Sequence, residues 1–339
     1  MHENSFLNLN VVLCVPLKEF ILNEASNLNN NYTIAFYNVE NLFDIYDDPD
    51  TKDDDFTPEG KKKWDEKRYQ RKIKKISSVI SQIGVEESGF SPAIVGLAEV
   101  ENKQVVLDLI HTENLKHNNY GIVHFDSPDE RGIEVAFLYR KKVFELLHSE
   151  SFPLLIYDEE GERDFTRDVL LVKGKLKGKL IYFIVNHWPS RRQGTGTTEV
   201  KRIKAAELVQ QIITKIKDET QDPTIILMGD FNDNPTNISV KKHLVTSDFF
   251  NPFESLFNKG FGSLIYQKKW LLFDQIILNN KFKNDSNLLY DKAYIFGKNF
   301  LVDRKGKHKG DPFRTYIGKW HQGGFSDHFP VYVELKISE

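Results

Sequence analysis

Polar residues that are able to bind a metal ion or move a proton end four β-like segments of this sequence. These residues are Asn38, Glu99, His187 and Asp230. In layered α/β proteins the ends of neighbouring strands meet at one edge of a sheet, and sites are commonly built there. Each residue alone would more often cap a helix or close a turn. The four together, with the Ser326-Asp327-His328 turn before the last β-like segment, favour a functional site.

The residue types indicate one kind of chemistry. Carboxylate and amide oxygens, with no cysteine among them and few histidines, suit a hard cation such as Mg²⁺ or Mn²⁺ better than zinc. Such an ion neutralises phosphate oxygens and the charge on a leaving group. Phosphoester hydrolysis also needs a base that orients water and a cationic or proton-donating group beside the phosphate, and Asp230, His187 and His328 are candidates. The sequence has no P-loop, serine-hydrolase elbow or zincin motif, which argues against those enzyme classes.

These residues lie on a chain that alternates β-like and helical segments. Segments rich in Val, Ile, Phe and Tyr predict strands over 33–38, 93–99, 133–140, 179–187, 224–230, 273–278 and 329–335. Apolar residues at helical spacing predict helices over 64–83, 101–111 and 198–217. The pattern favours a layered α/β protein in which helices pack outside a pair of sheets.

Composition restricts the function and the location. The chain has 339 residues, of which 40% are hydrophobic, so a sizeable core is available. A net charge of −3 argues against a protein that coats DNA, but a nuclease needs only a local cationic groove or a bound metal. The single cysteine, Cys14, excludes a disulfide framework and a thiolate metal site within one chain.

No membrane span is expected, because no run of about 18 apolar residues occurs. The apolar patch 11–17 lacks the preceding Lys or Arg of a secretory signal, so a cytoplasmic location is favoured over export.

Residues 1–31 are Asn-rich and aperiodic, which predicts a disordered extension before a domain over 32–339. An acidic block runs into a basic block over 47–75; we interpret it as a solvated loop and a charged helix face, with a flap over the site as the alternative.

Six segments, in this order, resemble the endonuclease/exonuclease/phosphatase superfamily. They are FYNVENLFD, GLAEVEN, VNHWPSR, MGDFNDNP, FDQIILN and FSDHFPVYVEL. The resemblance extends over about residues 32–337, and the combination of GDFN with SDH before a strand is highly specific. It implies a four-layered α/β sandwich, with two packed mixed β-sheets flanked by helices. It also implies a phosphoesterase that depends on Mg²⁺ or Mn²⁺.

The resemblance implies a metal site at four positions. Glu99 corresponds to the principal metal ligand, and Glu40 and Asn38 correspond to a second ligand and a metal or phosphate contact. Asp327 corresponds to a further carboxylate of the metal site. The second motif usually reads Gln-Glu, whereas Ala98 precedes Glu99 here, which removes a neighbouring amide but keeps the ligand.

The resemblance also implies catalytic roles. His328 would contact the scissile phosphate and be polarised by Asp274, because a buried carboxylate raises the basicity of imidazole and fixes its tautomer. Asp230 would orient or deprotonate the attacking water, and Asn232 would bind the phosphate or the transition state. His187 would stabilise the phosphate or protonate the leaving oxygen. Either Asp230 or His328 fits the role of the formal base.

Three arginines are candidates for phosphate contacts. Arg140 and Arg167 lie where superfamily members place such arginines, and a structural salt bridge is an equal alternative for each. Arg314 belongs to the Gly-rich segment 306–324, which is either a substrate-facing loop or an ordinary surface loop.

Three functions compete. The first is a metal-dependent phosphodiesterase or endonuclease that acts on nucleic acid as a monomer, because the HWPS segment resembles the deoxyribonuclease branch of the superfamily. The second is a small-molecule or lipid phosphatase on the same scaffold, although no apolar hairpin suited to membrane insertion is present. The third is a non-catalytic binding protein with the same fold, which would be expected to have lost several of the residues that are present here.

Overall fold

The structure is a computed structural model that describes residues 30–338 apart from 159 and 193. The predicted extension therefore lies outside the described residues except for Asn30 and Asn31, and Cys14 also lies outside them. Asn31 is the first residue of β1 and pairs with Lys336 near the end of the described chain.

Strands make up most of the regular structure. They are β1 (Asn31–Leu42), β2 (Ile94–Val100), β3 (Tyr120–His124), β4 (Glu134–Arg140), β5 (Phe144–Phe152), β6 (Ile156–Tyr157), β7 (Arg163–Asp164), β8 (Val169–Leu176), β9 (Lys179–His187), β10 (Ile225–Asp230), β11 (Phe249–Phe250), β12 (Leu264–Tyr266), β13 (Lys269–Leu271), β14 (Asp274–Asn279), β15 (Leu288–Ile295), β16 (Tyr316–Ile317), β17 (Trp320–His321) and β18 (Val331–Ile337).

The α-helices are fewer. They are α1 (Glu66–Ile80), α2 (Val85–Ser88), α3 (Lys103–Ile110), α4 (Thr195–Glu219), α5 (Phe253–Asn258) and α6 (Lys281–Asn284). Short 3₁₀ turns lie at Asp54–Phe56, Lys116–Asn118 and Gly306–His308, and a π-helical turn at Ser239–Leu244. No helix of the described part of the chain combines the length and the apolar character that crossing a membrane requires.

Two mixed sheets of six strands each form the centre of the molecule. The first sheet has the order β15-β18-β1-β2-β4-β3, and the second has the order β11-β14-β10-β9-β8-β5. Within them, β1 and β2 are parallel, as are β9 and β10, whereas β18 and β14 run antiparallel to their neighbours β1 and β10. The predicted α/β class with two mixed sheets is confirmed.

The two faces of each strand enter different cores, because successive side chains of a strand point to opposite sides. In β1, Ile34 and Phe36 lie in the core between the sheets, whereas Ala35 and Tyr37 lie in the core under the helices. Gly96 allows close approach of the sheets, since a Cβ there would lie 2.6 Å from the sulfur of Met228.

Amphipathic helices cover the outer face of each sheet. Helix α1 packs through Ile73, Ile76 and Ile80 on the first sheet, and α4 packs through Ile212 and Ile216 on the second. Helix α1 begins at Glu66, later than predicted, because the side chain of Asp65 caps it by accepting a hydrogen bond from the Arg68 N–H. The layers are therefore helix, sheet, sheet and helix.

Candidate active site

The polar residues predicted from strand ends converge at one edge of the sandwich. Asn38 and Glu99 lie near the ends of the neighbouring parallel strands β1 and β2. His187 and Asp230 lie opposite each other in the last register position of the parallel pair β9–β10. Asp274, the first residue of β14, pairs with Asp230 on its other side. Sheet register thus brings together residues from five distant parts of the sequence.

Four non-glycine residues at this edge have left-handed backbone conformations. The φ angles are 53° at Glu40, 50° at Asn41, 65° at Glu99 and 50° at Asn232. Such conformations cost on the order of 1 kcal/mol or more each and persist only where the surrounding structure enforces them. Three of the four residues were predicted site residues, so the backbone strain coincides with the predicted chemistry.

Asp230 is a buried carboxylate held by two hydrogen bonds. The Asn38 side-chain amide donates to its Oδ2 at 3.0 Å, and the Asn232 backbone N–H donates to its Oδ1 at 2.9 Å. Burial, with the nearby charge of Asp274, raises the pKa of Asp230 to about 7. A carboxylate with such a pKa accepts a proton near neutrality, which suits a base that activates water.

His328 and Asp274 form a buried pair. Nδ1 of His328 lies 2.6 Å from Oδ2 of Asp274, and the Ser263 hydroxyl donates to the same oxygen at 2.5 Å. The Ser326 hydroxyl accepts from the His328 backbone N–H at 3.0 Å and donates to the Asn38 carbonyl at 2.7 Å. The ring orientation is thereby fixed, and Nε2 lies 4.0 Å from Oδ1 of Asp327.

His187 lies between two carboxylates. Its Nε2 is 3.9 Å from Oε1 of Glu99 and 3.9 Å from Oδ2 of Asp230. Its Nδ1 is buried and has no hydrogen-bond partner among the described residues. The imidazole is therefore positioned at the centre of the predicted site.

The two histidines have opposite electrostatic environments. Burial lowers the pKa of His328, but Asp274 and other nearby carboxylates outweigh it and hold the pKa well above the ordinary value. Burial and the positive charges of Arg167 and Arg131 hold the pKa of His187 well below its ordinary value. At neutral pH the site thus contains one cationic and one neutral imidazole.

Two arginines contribute positive charge beside His187. Arg131 donates from Nη2 to the side-chain carbonyl of Asn41, and Arg167 donates to Oδ2 of Asp129 at 3.0 Å and to the Trp188 carbonyl at 2.7 Å. Arg167 thus forms the structural salt bridge that was its alternative interpretation, with Asp129, and its charge also acts on His187. The structure adds Arg131, which the sequence analysis did not identify.

Arg140 is not brought to this edge. Strands β2 and β4 are antiparallel, so Arg140 at the end of β4 lies at the edge opposite Glu99. Its guanidinium instead lies 5.3 Å from the centre of the Phe90 ring. The structure gives no support for a phosphate contact at this position.

Glu40 lies in a second carboxylate cluster at the same edge. Its Oε2 accepts a 2.6 Å hydrogen bond from the Thr315 N–H and lies 3.9 Å from Nζ of Lys72. Arg314 contacts two carboxylates, since its Nε is 3.8 Å from Oε1 of Glu40 and its Nη2 donates to Asp327. Burial and, after it, the charge of Asp327 raise the pKa of Glu40 to about 7, although Lys72 and Arg314 act in the opposite direction.

The donor set fits a hard divalent cation. Glu40, Glu99 and Asp327 supply carboxylate oxygens and Asn38 supplies an amide oxygen, all ligands that Mg²⁺ and Mn²⁺ prefer. Among the described residues, however, the one group of His, Cys, Asp and Glu side chains whose ligand atoms all lie within 4.8 Å of one another is Asp230, Asp274 and His328, and the predicted ligands Glu40, Glu99 and Asp327 do not form such a group.

Most charged side chains of the segment 47–75 are exposed, as the interpretation of a solvated loop and a charged helix face predicts, but Trp64 and Lys72 pack inward. Trp64 is fully buried within it. Lys72 is also buried, although neighbouring charges of the helix are exposed, and its ammonium donates to the Thr315 hydroxyl at 2.5 Å and to the Phe325 carbonyl at 2.6 Å. Lys72 thus faces the carboxylate cluster.

The sequence analysis missed Lys72 and Ser263 as residues of the site, although the position of Lys72 could have been recognised from the sequence. Lys72 follows Tyr69 by three residues and precedes Ile76 by four, so it lies on the apolar stripe of α1, where a lysine is unusual. Arg131 precedes a glycine at a turn before β4, which is only a weak signal. Ser263 is linked to Asp274 solely by the tertiary fold.

Comparisons with known proteins agree with this fold. A family model described as Endonuclease/Exonuclease/phosphatase family matches residues 33–337. No curated protein matches the chain by sequence. Among solved structures, a humanized D. rerio TDP2 is similar with a TM-score of 0.57 and 17% identity, covering 90% of this chain and 99% of the other.

Two bacterial structures are similar to the same extent. The endonuclease/exonuclease/phosphatase from Bacteroides vulgatus has a TM-score of 0.55 and 17% identity, covering 91% of this chain and 99% of the other. The mannosyl-6-phosphatase Bt3783 of Bacteroides thetaiotaomicron VPI-5482 has a TM-score of 0.53 and 18% identity, covering 90% and 99%. At these identities the likeness shows the fold alone.

Proposed function

The chain belongs to the endonuclease/exonuclease/phosphatase family, and we propose that it is a divalent-metal-dependent phosphodiesterase that cleaves nucleic acid. One observation carries the proposal. Asp230, whose pKa burial raises to about 7, lies in register with His187 and beside the His328–Asp274 pair. This combination supplies a base, a neutral imidazole and a cationic imidazole at one edge of the sandwich.

The metal would be held by Glu40, Glu99 and Asp327 with Asn38. When bound, it would supply positive charge to the phosphate oxygens and to the leaving oxygen. The backbone N–H groups of Thr315 and Asn41 hold the carboxylates of Glu40 and Glu99 in place at 2.6 Å and 2.8 Å. These ligands are therefore pre-organised on the β1 and β2 ends.

Asp230, His328 and His187 carry out proton transfer and contact the phosphate. Asp230 accepts a proton from the attacking water, with its carboxylate oriented by Asn38 and Asn232. His328 is cationic and contacts a phosphate oxygen through Nε2, because Nδ1 is engaged by Asp274. His187 is neutral and donates a hydrogen bond to a phosphate oxygen or to the leaving oxygen.

The cations around the site support a phosphodiester backbone as substrate. Arg131 and Arg167 lie on the His187 side, and Arg314 lies on the Asp327 side. Cations on both sides of a scissile phosphate match a strand that carries further phosphates. The D. rerio TDP2 neighbour has also been crystallised in complex with a single strand DNA product.

A phosphatase acting on a small phosphomonoester is the second candidate, because the Bt3783 neighbour is a mannosyl-6-phosphatase. A substrate panel separates the two. Wild-type protein is incubated with Mg²⁺ or Mn²⁺ and supercoiled plasmid, single-stranded oligonucleotide, bis-aryl phosphate, sugar phosphates, phosphoinositides and sphingomyelin. We expect cleavage of nucleic acid and of the bis-aryl ester. Release of inorganic phosphate without any cleavage of nucleic acid would replace our proposal with the second candidate.

A further inference from the structure

A cavity of about 580 Å³ opens beside the predicted metal site. Arg314 and Asp327 line one end of it. Its walls are the β12–β13 hairpin and the segment 303–313, neither of which contributes a predicted catalytic residue. The volume lies within the range of pockets that bind small ligands.

The hairpin wall is attached to the catalytic pair. Ser263, directly before β12, donates to the Asp274 carboxylate and accepts a 2.7 Å hydrogen bond from the Phe329 N–H. Trp270 of β13 stacks on the Phe329 ring with a centroid distance of 5.7 Å. These contacts hold the hairpin wall of the cavity against Phe329, the neighbour of His328.

The opposite wall is attached to the carboxylate cluster. The Asp303 N–H donates to the Asp311 carbonyl at 2.8 Å, and the Gly310 N–H donates back to the Asp303 carbonyl at 2.8 Å. The Phe313 N–H donates to Leu301, and the next residue, Arg314, binds Asp327. Both walls thus end at residues of the site.

The cavity carries ammonium groups without carboxylate partners. Lys268, Lys307 and Lys309 line it and are exposed, and within the described part of the chain none has a carboxylate oxygen within 4.0 Å. Three carboxylates line the cavity: Asp311 lies 3.0 Å from His308, Asp327 pairs with Arg314, and Asp303 accepts a hydrogen bond from the Lys305 N–H at 3.0 Å. The three lysines outnumber the one carboxylate without a cationic partner, so the available charge is positive and selects an anion.

We propose that this cavity binds a second phosphate of the same substrate strand, adjacent to the scissile phosphate. The inference rests on the proposed function and specifies its substrate as a strand rather than a lone phosphomonoester. The exposed ring of Tyr266 in the hairpin offers a face on which a base between the two phosphates stacks.

The test uses a variant with neutral side chains, Lys268→Gln/Lys307→Gln/Lys309→Gln. Its matched control is Lys141→Gln/Lys142→Gln/Lys177→Gln, which removes three exposed lysines from a cavity at the opposite edge of the sheets. Binding of a labelled oligothymidylate is measured by fluorescence anisotropy in EDTA over a range of salt concentrations. Cleavage of the same strand and of a bis-aryl phosphate is measured with Mg²⁺.

We expect the cavity variant to bind the strand about tenfold more weakly, with a salt slope smaller by roughly 0.7, because each phosphate of a single strand that a protein neutralises contributes about 0.7 to the slope. The control variant should bind like wild type, and turnover of the bis-aryl ester should be unchanged in both. Equal binding by the cavity variant and the control would overturn the inference. If binding depends on the three lysines but wild-type protein cleaves no strand, the cavity is a phosphate site for strands, whereas the proposed nuclease function fails and with it the assignment of the bound strand as the substrate.

Discussion

Nδ1 of His328 lies 2.6 Å from Oδ2 of Asp274, and the pair joins the two sheets of the sandwich. Asp274 begins β14 of the second sheet, whereas His328 precedes β18 of the first. The hydrogen bond between Asn38 of β1 and Asp230 of β10 also crosses between the sheets. The site therefore exists only when both sheets are packed.

Asp274→Asn should lower kcat for a bis-aryl phosphate by on the order of 10²-fold or more, because the amide no longer stabilises the imidazolium or fixes the tautomer. The pKa of His328 should fall towards its ordinary value, because Asp274 is the principal group that raises it. NMR titration of the metal-free protein and steady-state kinetics measure the two effects. Asp291→Asn, an exposed carboxylate paired with Lys336, serves as the control. An unchanged kcat in Asp274→Asn would show that the pair has no catalytic role.

Asp230 should determine the acidic limb of the pH–rate profile. Burial raises its pKa to about 7, so the carboxylate becomes available as a base only as the pH rises to that value. With Mg²⁺ present, we expect kcat/KM for the bis-aryl ester to rise about tenfold per pH unit on the acidic limb and then to level off. Asp230→Asn should remove the limb and lower the rate by on the order of 10²-fold or more. Persistence of the same limb in Asp230→Asn would assign it to another group.

The arginines should separate into two groups. Arg131→Ala and Arg167→Ala should each lower kcat/KM for the oligonucleotide by about tenfold or more, because they supply positive charge beside His187. Arg140→Ala should leave kcat/KM unchanged, because the side chain lies at the opposite edge over Phe90. Circular dichroism checks that all three variants fold. A loss of activity in Arg140→Ala equal to that in Arg167→Ala would contradict this assignment.

Glu334 should reduce stability as pH rises. Burial raises its pKa from 4.5 to about 8, and Thr33 donates a 2.5 Å hydrogen bond to it. Between these values only the unfolded state releases the proton, so the free energy of unfolding falls with increasing pH. In Glu334→Gln the decrease in the free energy of unfolding between low and high pH should be smaller by about 1 kcal/mol, which corresponds to roughly 2 °C in Tm.

The comparison is made by thermal denaturation at pH values below and above this range. Glu145→Gln is the control, since this carboxylate is largely exposed. A Tm that falls with pH to the same extent in wild type and Glu334→Gln would exclude Glu334 as the source.

The sequence predicted the main strands and helices because their apolar spacing matches the layers that bury them. Helices α1 and α4 each have a stripe of isoleucines that packs on one sheet. Element boundaries were less accurate. Strand β1 continues past the predicted end at Asn38 to Leu42, with a register shift against β2 where Glu40 and Asn41 have positive φ.

The sequence predicted the site residues that lie at strand ends. It predicted less well the residues whose position depends on loop conformation or on the pairing of strands. The sequence predicted Arg140 and Arg167 equally as phosphate contacts. Only the antiparallel pairing of β2 and β4 shows that Arg140 lies at the opposite edge. Arg131 and Ser263 reach the site through the conformation of the loops that carry them. These depend on long-range packing that local patterns do not encode.

The most direct test of the central claim measures kcat/KM for a bis-aryl phosphate in wild type and Glu99→Ala, with Mg²⁺, Mn²⁺ or EDTA. Glu145→Ala is the control. We predict that wild type and the control turn over the ester only when the metal is present. In Glu99→Ala, kcat/KM should fall by on the order of 10²-fold or more. Turnover that survives both EDTA and Glu99→Ala would contradict a metal-dependent phosphoesterase centre at this edge of the sandwich.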